Sequence, residues 1–207
     1  MICGSGMLAK YFSKINNKDV LFFCSGVSDC KSFDFDREKK CLLSFSKNQF
    51  IVYSSSLSAS LKKTKYQNHK LSMENIIVDY YKNYLIFRIG NLVGHSQNQN
   101  QFFPNIVNQI KNKKVLIHNF HRDLLLCSDY VNIVKSMLNS KNKILSLCSQ
   151  SPPHVSLIVH EIEKYLGTSY KVFSNLQEPN LPTIPDVITG DKNYYKKVIQ
   201  SYFFRKL

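Results

Sequence analysis

The stretch IVYSSSLSASLKKTKYQNHKLSMENII, residues 51–77, decides how this chain is read. It opens as a continuous apolar strand, passes through Ser54, Ser55 and Ser56, and resumes at helical spacing with Tyr66 and Lys70. Tyr66 and Lys70 are four residues apart, so on a helix both side chains project from one face. A free phenol has a pKa of about 10 and is a poor proton carrier at neutral pH. A neighbouring ammonium favours the phenolate and brings that pKa toward the working range. A serine hydroxyl beside the phenol can hold a substrate oxygen and stabilise developing charge. The same pattern also describes a solvated lysine next to a half-buried tyrosine on a surface helix, so the stretch needs its context.

Outward from it, short apolar runs alternate with helical stretches. MIC (1–3) leads into a glycine turn and the helical pattern of 5–15. DVLFFCSG (19–26) reads as a buried strand, 35–46 as a helix and 49–56 as a second buried strand. A long helix over 66–83 precedes a strand over 84–94. Helices follow at 102–112, 128–140, 156–167 and 192–204, with strands near 114–118 and 143–149, and the proline-rich EPNLPTIPD (178–186) reads as a loop. Buried strands alternating with helices predict a parallel sheet covered on both faces, an α/β fold.

The chain of 207 residues is 43% apolar and 13% aromatic, enough for a sizeable core in one domain with a small lobe attached. No run approaches the roughly 18 apolar residues of a membrane span. The N-terminal residues lack the basic leader of a signal peptide, and the six cysteines include no CxxC pair, so the expectation is free thiols in a cytoplasmic protein, without metal. The net charge of +14 rests on 28 basic residues, of which only Arg37, Arg88, Arg122 and Arg205 are arginine. Spread lysines, with no zinc-finger spacing and no aromatic–basic strand motif, argue against a nucleic-acid groove, although a diphosphate would be drawn to such a field.

The turn Gly4-Ser5-Gly6-Met7-Leu8-Ala9 follows a strand and opens a helix, the setting in which glycines let backbone approach a pyrophosphate. The acidic residue that completes a dinucleotide fingerprint about 20 residues later is missing, because Asp19 falls at the start of a strand.

Taken in order, these segments resemble the extended short-chain dehydrogenase/reductases that act on nucleotide sugars, the NAD-dependent epimerase/dehydratase family. Strand-Ser-Ser followed by YxxxK, with Leu71 and Glu74 after the lysine, carries the resemblance. FRIGNLVG (87–94), HRDLLLCSDYVNIVKSML (121–138) and ILSLCSQSPPHVSLIVHEIEKYLG (144–167) extend it. The resemblance implies a Rossmann-type doubly wound parallel sheet with a small C-terminal substrate lobe, formed by segments about 95–122 and 150–207. It implies an NAD or NADP cofactor wrapped by Gly4, Ser5, Gly6, Met7 and Leu8 and bordered by Cys24, Ser25 and Gly26. Tyr66 would be the general acid/base and Lys70 its partner and ribose ligand. Ser56 would be the hydroxyl partner, with Ser55 as the second choice, and Asn91 and Arg122 would contact the diphosphate of a nucleotide sugar.

Several features depart from the family. Cys3 and Ala9 replace its first and third glycines. The spacer from the glycine turn to the serine cluster is far shorter than usual, so the second and third strands of the family sheet are expected to be missing and the first strand to lie at an edge. The Asp-Glu pair that dehydratases carry after the hydroxyl residue is absent from SSSLSAS. The resemblance therefore points to a ketosugar reductase, with an epimerase or a non-catalytic cofactor sensor of the same fold as alternatives. In that family the helix bearing Tyr66 often forms a dimer seam, so the resemblance makes a homodimer possible without fixing the oligomeric state, and no membrane association is expected.

Overall fold

The computed structural model describes residues 1–15, 17–28, 34–95, 97–118, 120–168, 171–175 and 185–204. In chain order the elements are β1 (Ile2–Cys3), α1 (Met7–Phe12), β2 (Val20–Phe23), α2 (Phe35–Leu43), β3 (Phe50–Ser56), a short 3-10 helix (Leu57–Leu61), α3 (Lys65–Tyr80) and β4 (Asn83–Ile89). There follow β5 (Asn91–Val93), α4 (Phe102–Lys111), β6 (Lys114–His118), β7 (Leu124–Leu126), α5 (Cys127–Ser136) and β8 (Lys143–Cys148). The chain ends with α6 (Val155–Leu166), β9 (Lys171–Asn175), β10 (Val187–Ile188) and α7 (Tyr194–Phe204). Two compact units result, one of residues 1–89 and 127–147, the other of 90–126 and 148–207.

The first unit is built on the sheet β1-β2-β3-β4-β8, in which every adjacent pair is parallel. β1 stands at the end of the order, directly beside β2 with Ile2 opposite Phe22. Within the second unit, Thr189 N–H, next to β10, donates to the Cys148 carbonyl at 2.9 Å. Alternation along the strands explains why they read as unbroken apolar runs. Leu21, Phe23, Ile51, Tyr53 and Ile86 meet Leu42 of α2 and Met73 and Ile77 of α3 on one face. On the other, Phe12 of α1 stacks on Phe22 at 4.6 Å, and Tyr130 of α5 packs edge-on against Phe12 and Phe87. Burying each such side chain contributes about 1.5–3 kcal/mol before entropy is counted.

α3 starts where its sequence dictates. Gln67 N–H donates to Thr64 Oγ1 at 3.2 Å while Gln67 Oε1 accepts from Thr64 N–H at 3.1 Å, a reciprocal capping box. The 3-10 helix before it ends on Lys62 in the left-handed region (φ 56°), which turns the chain into that cap.

The strand expected over 84–94 is two strands. A Cβ on Gly90 would lie 2.8 Å from Asp123 Cβ, so the chain passes Asp123 in close contact there. Asn91 N–H donates to the Asp123 carbonyl at 3.0 Å, and β5 pairs in parallel with β7. The apolar run 84–94 is interrupted at Gly90-Asn91, but that dipeptide does not say which strand the chain pairs with next. The second unit holds this β5–β7 pair and a parallel β6–β9 pair. Its core comes from Phe103, Ile106 and Ile110 of α4, Ile158 and Ile162 of α6, and Val198 and Ile199 of α7. Most of the expected loop 178–186 and Cys30 lie outside the described residues.

Candidate active site

In the first unit the glycine turn is exposed and backed by β2. Gly4 adopts φ +113°, and a Cβ there would sit 2.8 Å from the Cys24 carbonyl carbon and oxygen, so only glycine serves at this position. Cys24 N–H donates to the Cys3 carbonyl at 2.7 Å, extending the β1–β2 register to the turn. Gly6 caps α1, and a Cβ on it would meet nothing within 4 Å. Gly4, Ser5 and Gly6 are exposed, Leu8 is half-buried, and Met7 is anchored in the core.

At the end of β2, Ser25 is gripped by Arg37 of α2. Arg37 Nη1 donates to Ser25 Oγ at 2.8 Å and Nη2 to the Ser25 carbonyl at 3.1 Å, while Nε donates to Asp34. Gly26 comes next. A Cβ there would stand 3.1 Å from Glu38 Oε1 and 3.2 Å from Lys70 Nζ, so the ammonium lies against the strand end that follows the glycine turn.

Tyr66 and Lys70 share a face of α3, as their spacing requires. Lys70 Nζ lies 5.8 Å from the centre of the Tyr66 ring. The Lys70 side chain is only 3% exposed, and its Nζ donates to Tyr53 OH at 3.0 Å and Glu38 Oε1 at 3.2 Å. The three serines end in different environments. Ser54 Oγ and Tyr130 OH are 2.7 Å apart, Ser55 donates to Glu74 Oε1 at 2.5 Å, and Ser56 Oγ caps the 3-10 helix beside Ser58. Ser55 therefore faces the core side of α3, and Ser56 sits at the strand end.

Sequence reasoning missed Glu38, Tyr53 and His69. Glu38 is fully buried and accepts from Val27 N–H at 2.7 Å, Tyr53 OH at 2.7 Å and His69 Nε2 at 2.8 Å, besides Lys70. Burial alone would raise its carboxyl pKa. The Lys70 ammonium, followed by the Tyr53, Val27 and His69 donors, holds it below the ordinary value instead. Burial pushes the Lys70 amine down, opposed by the charges of Glu38 and Glu74. Burial, then the Glu38 charge, drives the Tyr53 phenol well up, so Tyr53 stays protonated and donates. A signal was available in the sequence. Glu38 falls between Phe35 and Leu42 on the apolar stripe of its helix, where a solvated glutamate is out of place.

In the second unit, Asn91 Nδ2 donates to the Asp123 carbonyl at 3.0 Å, the same oxygen that accepts from Asn91 N–H. The Arg122 guanidinium lies over Phe120 at 4.4 Å and Phe102 at 5.6 Å. Asp123 is buried and accepts from Ser149 N–H and Oγ. Burial, against those two bonds, raises its pKa.

Residues 51–148 match the family model described as the NAD dependent epimerase/dehydratase family. The matched segment runs from the serine-bearing strand through α3 to the end of β8. No curated protein sequence gives a significant match. Among solved structures, RMD from Pseudomonas aeruginosa complexed with NADPH is similar, with TM-score 0.70 at 13% identity, covering 99% of this chain and 98% of that one. The dTDP-glucose 4,6-dehydratase of Bacillus anthracis in complex with NAD gives TM-score 0.66 at 16% identity, covering 95% and 76%. A dTDP-4-dehydrorhamnose reductase from Clostridium acetobutylicum gives 0.62 at 18%, covering 94% and 83%. These likenesses establish the α/β Rossmann-like fold.

Proposed function

We propose that this chain is an NAD(P)-dependent oxidoreductase acting on a nucleotide-linked sugar, with reduction of a ketosugar as its reaction. The observation that carries this reading is the Lys70 ammonium beneath the Tyr66 ring and against Gly26 of the cofactor-side strand end. The residues fit a dinucleotide: Gly6 leaves its Cα face open, and Gly4 holds the turn tight against β2. Gly4, Ser5, Gly6, Met7 and Leu8 would hold the pyrophosphate, and Cys24, Ser25 and Gly26 would border the adenosine ribose. The nicotinamide supplies the hydride when bound.

The chain's own residues do the rest. Tyr66 gives a proton to the substrate oxygen, and the Lys70 ammonium stabilises the phenolate left behind. Lys70 has three N–H donors, of which Tyr53 and Glu38 take two, and the third serves a ribose hydroxyl. Ser56, at the strand end, steadies the same substrate oxygen. Asn91 and Arg122 contact the diphosphate. No acid follows Ser56 in the 3-10 helix Leu57–Leu61, which argues against dehydration and for plain reduction over water loss. The short path from the glycine turn to β2 supports a family sheet that lacks its second and third strands, with fewer elements on the adenine side. That openness favours a cofactor that leaves each cycle, hence reductase over epimerase.

One observation favours a second reading. Lys70 is already held by Glu38 and Tyr53 inside the unit through two of its three donors, as a structural ion pair would be, and this suits a cofactor sensor without chemistry. Calorimetric titration with NADH and NADPH, followed by hydride transfer to a panel of nucleotide ketosugars, separates the two. The enzyme reading expects binding and a turnover that Tyr66→Phe lowers by about 10²–10⁴-fold without unfolding the chain. Binding with no turnover on any sugar selects the sensor, and no binding of either dinucleotide sinks both.

A further inference from the structure

We infer that Glu38 is a positioning residue of the proposed site: a buried carboxylate on α2 that fixes the Lys70 ammonium beneath Tyr66 and keeps it charged. The inference rests on the catalytic reading of Tyr66 and Lys70, and adds a residue from a helix to which that reading gave no role.

Among the described residues, the groups that meet Lys70 or its partner Glu38 come from several elements. α3 supplies Tyr66, His69 and Glu74, β3 supplies Tyr53, the end of β2 supplies Gly26, and α2 supplies Glu38. Of the two carboxylates, Glu74 is spoken for: Arg88 of β4 donates to it from Nε at 3.1 Å and from Nη2 at 2.6 Å, and Ser55 donates to it as well. Glu38 is the anion in direct contact with Lys70. It is also the better-held partner, since Val27 N–H, Tyr53 OH and His69 Nε2 fix both its oxygens independently of Lys70. His69 is itself stacked on Phe35 at 4.3 Å, one turn before Glu38 on the same helix. A carboxylate gripped this way sets where the ammonium rests. An amine with 3% side-chain exposure and no such anion sheds its proton far more readily than one in water. A neutral amine no longer stabilises a Tyr66 phenolate, so Glu38 governs the pH range in which Tyr66 can work.

The test reads Lys70 directly. Chain labelled with ¹³C at the lysine Cε is titrated by NMR, with the Lys70 signal identified by its loss in Lys70→Met. The expected result is an ammonium at neutral pH in the wild-type chain, and a deprotonation midpoint lowered by about one to three units in Glu38→Gln. Glu38→Asp, which keeps the charge, should stay close to wild type. The pH profile of hydride transfer should lose its high-pH side by the same displacement in Glu38→Gln and regain it in Glu38→Asp. An unchanged Lys70 midpoint in folded Glu38→Gln overturns the inference. Should that variant not fold, a neutral Lys70 amine in wild type at neutral pH overturns it, and an ammonium in both wild type and Glu38→Asp upholds it. If the midpoint falls as expected but the wild type transfers no hydride, the enzyme reading fails and the electrostatic role of Glu38 stands.

Discussion

Lys70 Nζ lies 3.2 Å from Glu38 Oε1, and the two side chains are 3% and 0% exposed. The pair is asymmetric. Without Lys70, Glu38 keeps three donors, whereas without the Glu38 charge Lys70 keeps, among the described residues, the Tyr53 hydroxyl as its hydrogen-bond acceptor. Breaking a buried ion pair costs about 3–5 kcal/mol when the remaining charge is stranded. Glu38→Gln should therefore cost about 3 kcal/mol or more. Lys70→Met should cost less, about 1–3 kcal/mol, because the carboxylate it leaves is still hydrogen-bonded. The double variant should cost less than the two single changes added together. Urea unfolding of the four proteins checks this, and equal costs for the two single variants would contradict the asymmetry.

The sequence carried the helix period that aligns Tyr66 with Lys70, the glycine turn, the serine-bearing strand and the parallel sheet, because each is written in local spacing. It carried less of the site. That Glu38 meets Lys70 depends on how α2 packs against α3 across 32 residues of chain, and no local pattern encodes that distance. The serines show the same limit. Three identical residues in a row end on Tyr130, Glu74 and Ser58, and period-2 alternation says that Ser55 faces opposite to its neighbours without saying what it meets. The change of strand partner at Gly90 was hidden for a related reason, since Asp123 approaches it from far along the chain.

Two buried carboxyls should respond to acid with opposite signs. The folded-state pKa of Glu38 is lowered, so its contribution is present above the unfolded value of about 4.3 and is lost as pH falls through the folded value. The pKa of Asp123 is raised by burial, so the native state takes up its proton first and this site gains stability as pH falls through its folded value. Asp123→Asn removes that dependence. Relative to wild type, the asparagine variant should be at its most favourable at neutral pH and should lose ground as pH drops toward the unfolded carboxyl range. Denaturant midpoints of both proteins, measured from neutral to acid pH, give the sign. A gap that widens in the variant's favour on acidification would be the wrong one.

Gly4 is where the proposed cofactor turn and the sheet depend on one atom's absence. Its φ of +113° disfavours any L side chain, and a Cβ would press on the Cys24 backbone at 2.8 Å. Backbone atoms cannot swing aside as a side-chain tip can. Gly4→Ala should cost about 2 kcal/mol or more, with β1 shifted from β2. Gly6→Ala meets no neighbour within 4 Å and should leave stability nearly unchanged. If the turn holds a pyrophosphate, the Gly6 methyl should still weaken dinucleotide binding. Thermal unfolding paired with NADH and NADPH titration of both variants tests the contrast, and a destabilised Gly6→Ala would contradict it.

Glu74 ties α3 to two strands at once. It is 1% exposed, accepts from Ser55 of β3, and receives Arg88 of β4 through both Nε and Nη2. The register of the helix that carries Tyr66 and Lys70 is therefore pinned to the sheet one turn beyond Lys70. Arg88 is 25% exposed at its side chain and can recover part of its hydration if Glu74 is removed, so the full penalty of a stranded buried charge is not expected. Glu74→Ala should cost about 2–3 kcal/mol, from the lost charge-assisted bonds and the cavity together. Glu74→Gln keeps the volume and one acceptor and should cost roughly half as much. In a Glu74→Gln background, Arg88→Met should be milder than in wild type, because the carboxylate it would strand is already gone. Equal effects of Arg88→Met in the two backgrounds, measured by urea unfolding, would mean that the helix is held on the sheet by its apolar face alone.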